Sequence, residues 1–560
     1  MTKFSNFQPP SPITERILGV IVLFLLFSIQ LDAQKQKKPI CIIAYVAKGS
    51  IADKMGLKTG DIILCINSKE IHSEASLISE IKSVRGSEIK IKIMRKGKEI
   101  TLKSPFNTDK LGITVFFYEK DRLLSPKEMR EDIDTLFSAI CEIHPNPYVN
   151  ISKQTFDSLK KETYKAINSP LPINDFWKIA APIVARIGDG HTHLDMPDRE
   201  WLYRVLSNRR IIFPILLDII QDSVLVQKNF SNAPIRSGDY ILSINGIPIR
   251  KIINDFIPYI SGELYHFKTT LIERNFSQML FVIYGFKSPF KVKLKDLQGE
   301  IKEYTLEGID KDKYDKMVAN LRDTNFYFEE IPELKTGIIR FNYFVRRKEF
   351  DKFLKKTFTK IKEKKYRYLI IDLRKNGGGD SKIAEDLLNY LTEKPYRVFG
   401  GAKVKISKYT LKYAKKQPFI KKLVVDSIYS FASPAKAPPK NPLRFTGKIF
   451  VLISSYTFST ASDFAAVIKD FEIGTLIGEE TGGLPTSYGD SWPVTLPNSH
   501  LSLMVSWKYF VRPNGNTTYT RNGLAPDVPV KTTAEDIREG IDLVMEKIKE
   551  IIRNDLRENE

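Results

Sequence analysis

Three short stretches of this 560-residue chain carry residues whose types and spacing could do chemistry. The first, SSYTFSTASDFAAVIKD from Ser454 to Asp470, sets a hydroxyl-rich turn between an apolar run and a segment whose Ala461, Phe464, Ala465 and Ile468 are spaced for one helix face. Ser459 stands where that helix would start, so it reads first as a plain N-cap, a job for which Thr460, Ser462 and Asp463 compete. The same place suits a nucleophile. A helix N-terminus stabilises developing negative charge, and the next backbone N–H, that of Thr460, can complete an oxyanion hole. The Gly-x-Ser-x-Gly elbow is absent, with Thr457 and Ala461 where its glycines would be, so Ser459 needs a base from elsewhere.

The second stretch is NGGGD, Asn376 to Asp380. Three glycines between a strand and a helix can turn backbone N–H groups toward a phosphate or an oxyanion, or simply make a tight loop. No GK[ST] follows, and Lys382 stands where a GxGxxG motif needs its third glycine, so the phosphate readings fit poorly. The third is GDGHTHLD, Gly188 to Asp195, with two of the six histidines in the chain. His191, His193 and Asp195 would point to one side of a strand, a spacing that also suits a metal, although no HExxH or further histidine cluster completes a shell. No metal or other cofactor is expected.

The elements around these stretches predict how they are held. YRYLIIDLR, NGGGD and SKIAEDLLNYL read as strand, break and helix, and KIFVLIS, SYTFS and TASDFAAVIKDF repeat the order. The segment from about 325 to 554 is therefore α/β with a largely parallel sheet. Ligands sit at the carboxyl ends of such strands, which places the glycines and Ser459 on one rim. Residues 122–200 read as helical, opening with a Ser125 cap and Pro126 and ending at the His motif. Residues 38–118 read as a small β domain in which GSIADKMGLKTGDIILCIN resembles the PDZ domain, a module that binds extended chain ends by adding a strand to a sheet edge. SNAPIRSGDYILSINGIPI echoes it and predicts a second PDZ-like β domain over 209–308.

DLRKNGGGD, TFSTASDF, IGEETGG and NGLAPDVPV, in that order, resemble the tail-specific or C-terminal processing protease family of serine peptidases. EIHPNPY and IGDGHTHL upstream resemble its tricorn-like, retinoid-binding-protein-like branch. The resemblance implies a multidomain α/β chain with a crotonase/Clp-like catalytic domain, PDZ-like β domains and a helical N-terminal subdomain. It further implies Ser459 as nucleophile, His191 as base, Gly378 and Thr460 as oxyanion donors, and a polypeptide substrate. Where the lysine-using branch carries its base, this chain has Leu484. Where the tricorn-like branch has the Glu that orients its His, this chain has Thr520, leaving Glu479 or Glu480 as substitutes and a non-catalytic peptide-binding protein as the alternative.

Composition bounds the rest. The +21 charge is spread through every segment rather than gathered on one helix, which argues against a nucleic-acid groove and leaves attraction to an anionic membrane surface open. Cys41, Cys65 and Cys141 form neither a disulfide framework nor a zinc motif. The thirteen apolar or small residues Ile17 to Ile29 span about 20 Å as a helix against roughly 30 Å of hydrocarbon. Residues 1–33 are thus expected to be a signal peptide, with an uncleaved anchor as rival, and the protein to be exported to the periplasm, envelope or exterior.

Overall fold

The strand and helix patterns after residue 325 form a six-stranded sheet in this computed structural model, which describes residues 38–108, 110–207, 209–319, 323–414 and 424–558. Strands Phe326–Ile331, Thr336–Phe341, Tyr368–Asp372, Lys448–Ile453, Thr475–Gly478 and Val528–Pro529 lie side by side in chain order. The first pair is antiparallel and the others are parallel. Side chains alternate across each strand, so both faces are fed. Ile339, Ile371, Val451 and Leu476 pack with helices Arg347–Glu363, Ser381–Leu388 and Thr460–Asp470. Ile338, Ile370, Phe450 and Ile477 pack on the opposite face with Val544, Met545 and Ile548 of helix Leu543–Glu558. Because Asp372 pairs with Leu452 in parallel register, the NGGGD and SYTFS turns leave the sheet side by side.

A second sheet orders Ile428–Ala432, Gly401–Lys405, Ser502–Val511 and Ser487–Thr495. The two-residue strand His193–Leu194 joins it, pairing with Met504 and Leu503. Helix Pro126–Ile143 begins with the Ser125–Glu128 capping box and Pro126 in its first turn, as its sequence predicts. Its buried Met129, Ile133 and Leu136 share one core with Leu503, Val505 and Trp507. The helical region is therefore built onto the second sheet rather than around a core of its own.

The chain divides into two units between Arg122 and Leu123. In the first, the sheet runs Lys98–Phe106, Ser87–Arg95, Ile62–Ile66, Ile40–Val46, Ile113–Tyr118. Within the second, a sheet runs Ile301–Leu306, Phe290–Lys295, Tyr240–Ile244, Ser223–Asn229, Ile215–Ile220. The order is the same, and an equivalent bulge falls between Ile63 and Cys65 in one and between Ile241 and Ser243 in the other. Only the last strand differs: the first sheet takes it from the segment after its hairpin, the second from the segment before, which relates the two by circular permutation.

The β reading of 209–308 missed the 20-residue helix Tyr265–Tyr284. Its buried Phe267, Ile272, Phe276, Met279 and Leu280 recur at helical spacing, a signal hidden between the echoed motif and the final hairpin. This helix covers the outer strand Ile215–Ile220, where the Glu273 carboxylate accepts the Ile219 amide. The expected leader at 1–33 lies outside the described residues, among which no helix is long and apolar enough to cross a membrane.

Candidate active site

The turn after Lys448–Ile453 gives most of its hydroxyls to structure. Thr457 Oγ1 donates to the Leu373 carbonyl at 3.0 Å, Ser454 Oγ to that of Arg374 at 2.7 Å, Thr460 Oγ1 to that of Gly379 at 2.7 Å and Ser462 Oγ to that of Ser459 at 2.8 Å. Asp463 is buried, and burial pushes its carboxyl well above the usual range, so it is no anionic cap. Ser459 occupies the N-cap position but its side chain makes no cap hydrogen bond. Its backbone sits at φ 53°, ψ −131°, a conformation dominated by glycine in tight turns. Holding a serine there costs about 1–3 kcal/mol. Burial of the following helix offsets that: Phe464, one of its nine successive buried residues from Thr460 to Ile468, contributes about 1.5–3 kcal/mol alone.

The strained turn aims Ser459 Oγ at His191 Nε2, 3.0 Å away across 268 residues of sequence. The GDGHTHLD loop that carries His191 is pinned to the second sheet on both sides. Ser491 Oγ donates to the His191 carbonyl at 2.7 Å, Thr192 Oγ1 accepts the Ser506 amide at 3.0 Å, and Asp195 N–H donates to the Ser502 carbonyl at 2.8 Å. The imidazole stacks on Phe458, which stacks in turn on Phe267. Only 16% of the His191 side chain is exposed, and burial lowers its pKa below the ordinary value. Asp189, Asp490 and the Tyr488 backbone oppose that shift. The outcome is a neutral imidazole at pH 7, able to accept a proton.

The carboxylate nearest His191 is Asp189, two residues upstream, with Oδ1 3.9 Å from Nδ1. Burial alone would raise its pKa, but hydrogen bonds and the neighbouring imidazoles of His144 and His191 overcome it and hold the group well below the carboxylate range. Asp189 accepts from the His191 amide (2.9 Å), Thr192 Oγ1 (2.6 Å), Ser506 Oγ (2.5 Å) and His144 Nε2 (3.3 Å). Behind it, Glu263 accepts from the Gly190 amide at 3.2 Å and from Tyr519 Oη at 3.3 Å. Burial and the charge of Asp189 push the Glu263 carboxyl up to about 8.

The sites expected to orient His191 lie elsewhere. Thr520 is exposed, Glu480 accepts the Gly523 amide at 2.6 Å, and Glu479 is raised by burial near His266 and Lys531. None of the three is among the groups acting on His191. Leu484 is 2% exposed and packs with Leu264 and Phe267, behind the ring stack. His193 is drawn into the strand beside Ser502–Val511 and pairs with Asp195 at 3.2 Å, so His191 and His193 do not share one strand. No group of three or more metal-ligating side chains occurs among the described residues.

Gly378 lies against the nucleophile turn: a Cβ there would come 2.7 Å from Ser459 Cβ and 3.0 Å from Thr460 N, and its φ of 100° already favours glycine. The Thr460 amide has no hydrogen-bond partner among the described residues. The Gly378 amide donates to Asn376 Oδ1 at 2.9 Å, so an oxyanion placed there would share that N–H with Asn376 or displace it.

Residues 335–530 match the model of peptidase family S41, and residues 42–95 match that of a PDZ domain. The chain thus carries a peptidase S41 domain and a PDZ domain. It is 28% identical over 180 residues to the tail-specific protease of Haemophilus influenzae, covering 31% of this chain and 22% of that protein. It is 32% identical over 91 residues to a putative zinc metalloprotease of Lactococcus lactis subsp. lactis, covering 16% and 21%. The chain spans about a fifth of each of these curated relatives. In fold it is similar to mature CPAF, solved in complex with lactacystin, with a TM-score of 0.54 at 15% identity over 77% of this chain and 99% of that one.

Proposed function

We propose that this chain is a serine endopeptidase of Ser–His type that hydrolyses peptide bonds in exported or unfolded proteins and peptide tails. The observation that carries the reading is the 3.0 Å approach of His191 Nε2 to a serine that spends its strained N-cap position on no cap. In the mechanism that follows, His191 takes the Ser459 proton as Oγ attacks the scissile carbonyl. The Thr460 amide, with Gly378 once shared from Asn376, holds the oxyanion. Asp189 stabilises the imidazolium, which then protonates the leaving amine; water repeats the sequence to release the acyl group.

The PDZ domain would capture an extended chain end. Its strand Ile113–Tyr118 stands last in the sheet order, where such a chain end would add, whereas the equivalent strand Ile215–Ile220 of the second β domain is covered by its own helix. Export to the envelope is part of this proposal and rests on the apolar run Ile17 to Ile29. Ser459→Ala should abolish cleavage of unfolded casein while leaving circular dichroism unchanged. Undiminished turnover by that variant would remove Ser459 from the mechanism.

A further inference from the structure

Beside the Ser459–His191 pair lies a cavity of about 340 Å³ bordered by Gly190 and Phe458, the residues immediately preceding the pair in sequence, and by Gly377, which precedes Gly378. Much of the remaining lining is apolar, with Trp177, Leu194, Met196, Tyr259, Leu271 and Met279. That wall is fixed before any ligand arrives. Trp177 stacks on Tyr259 at 5.1 Å and 14° and donates its indole N–H to the Leu194 carbonyl at 3.3 Å. Tyr456 lies under the Arg274 guanidinium at 3.8 Å, and Phe458 is clamped between His191 and Phe267. The carboxylate in the lining, Asp195, is already paired with His193. A basic side chain would find that carboxylate already engaged by His193 at the rim, and an acidic one would meet apolar wall. Preformed apolar cavities of this size with few polar groups bind apolar groups.

We propose that this cavity receives a large apolar or aromatic side chain of the substrate next to the scissile bond and thereby selects which peptide bonds are cut. The inference rests on the serine-peptidase reading and narrows its substrate class. It also assigns His193 and Asp195, which contact each other at 3.2 Å, a place at the polar edge of the pocket rather than as metal ligands.

The test uses fluorogenic peptides identical except for Phe, Leu, Ala, Lys or Asp at each position flanking the cleaved bond in turn. At one of the two positions, Phe and Leu should exceed Ala, Lys and Asp by about tenfold or more in kcat/KM, the scale on which a hydrophobic pocket discriminates. Asn275→Trp, at an exposed position on the lining, sends an indole into the cavity and should lower kcat/KM for the Phe and Leu peptides about tenfold more than for the Ala peptide. Equal rates across the series, a preference for charged residues, or an equal loss for every peptide in Asn275→Trp would overturn the assignment. Fluorescence anisotropy of the same peptides on Ser459→Ala supplies a readout that needs no turnover, with the Phe peptide binding more tightly than the Ala peptide. If the native chain cleaves none of them and resists a fluorophosphonate, the peptidase reading fails, and the anisotropy order still decides the pocket.

Discussion

Replacing Asp189 by Asn removes one charge and almost no volume from the centre of the proposed machinery. Asp189 Oδ1 is 3.9 Å from His191 Nδ1. At an effective dielectric constant of about 20, the attraction between that carboxylate and an imidazolium is about 4 kcal/mol. Asn keeps part of it as a dipole, so the imidazolium formed during acylation should lose about 2–4 kcal/mol. The expected fall in kcat is about 30- to 1,000-fold, with little change in KM. The pH profile gives a second sign. Burial already lowers the His191 pKa and Asp189 opposes it, so Asp189→Asn should move the acid limb of kcat/KM to lower pH.

Stability should fall as well. His144 Nδ1 accepts the Asn146 amide, which leaves its Nε2 to donate to Asp189, and the His191 amide also donates there. An Asn amide turned to satisfy one presents N–H to the other, leaving a buried donor unpaired at about 1–3 kcal/mol. Stopped-flow acylation across pH 5–9, with urea melts alongside, measures all three effects. A folded Asp189→Asn enzyme with kcat within threefold of native and an unmoved acid limb would refute the role given to this carboxylate.

Glu263→Gln should behave differently, because a carboxyl at about 8 is largely neutral at pH 7 and its replacement should change kcat there by less than about threefold. Its raised folded pKa means the native state holds a proton that the unfolded chain has released. Stability should therefore decline from about pH 4.5 to about pH 8, and thermal melts of Glu263→Gln should lack this decline. Gly378→Ala puts a Cβ 2.7 Å from Ser459 Cβ at a φ of 100°, and should cost at least about 100-fold in kcat, read on any cleaved peptide. Ser459→Gly relieves the φ 53° conformation and should melt at a higher temperature than Ser459→Ala, by the equivalent of about 1 kcal/mol, although both lack the hydroxyl.

What the sequence could show follows from how local each feature is. The parallel sheet was legible because its strands are apolar runs broken by glycine or hydroxyl turns and arranged in chain order. Ser459 was legible as a position but not as a role, since a cap and a nucleophile share the same pattern and differ here in backbone dihedrals and in the absence of a cap bond. Asp189 stood inside the motif that drew attention to His191, yet was overlooked: the partners that give it meaning, His144 and Ser506, lie 45 and 317 residues away. The resemblance points to position 520 for an orienting acid, whereas the carboxylate beside the His191 ring belongs to Asp189. Glu263 could not be found from pattern, because its importance comes from burial against Asp189 and Gly190. The permuted second β domain was half visible, through the SGDYILSIN echo, while the strand completing it precedes the echo instead of following it.

The pairing of Ser459 with His191 is tested most directly by the rate at which a fluorophosphonate modifies the chain, with peptide mapping of the adduct, in the native protein and in His191→Ala. The prediction is a single modified peptide containing Ser459 and a rate at least about 1,000-fold lower without the imidazole. Modification at another residue, or an equal rate at Ser459 in the two proteins, would contradict it.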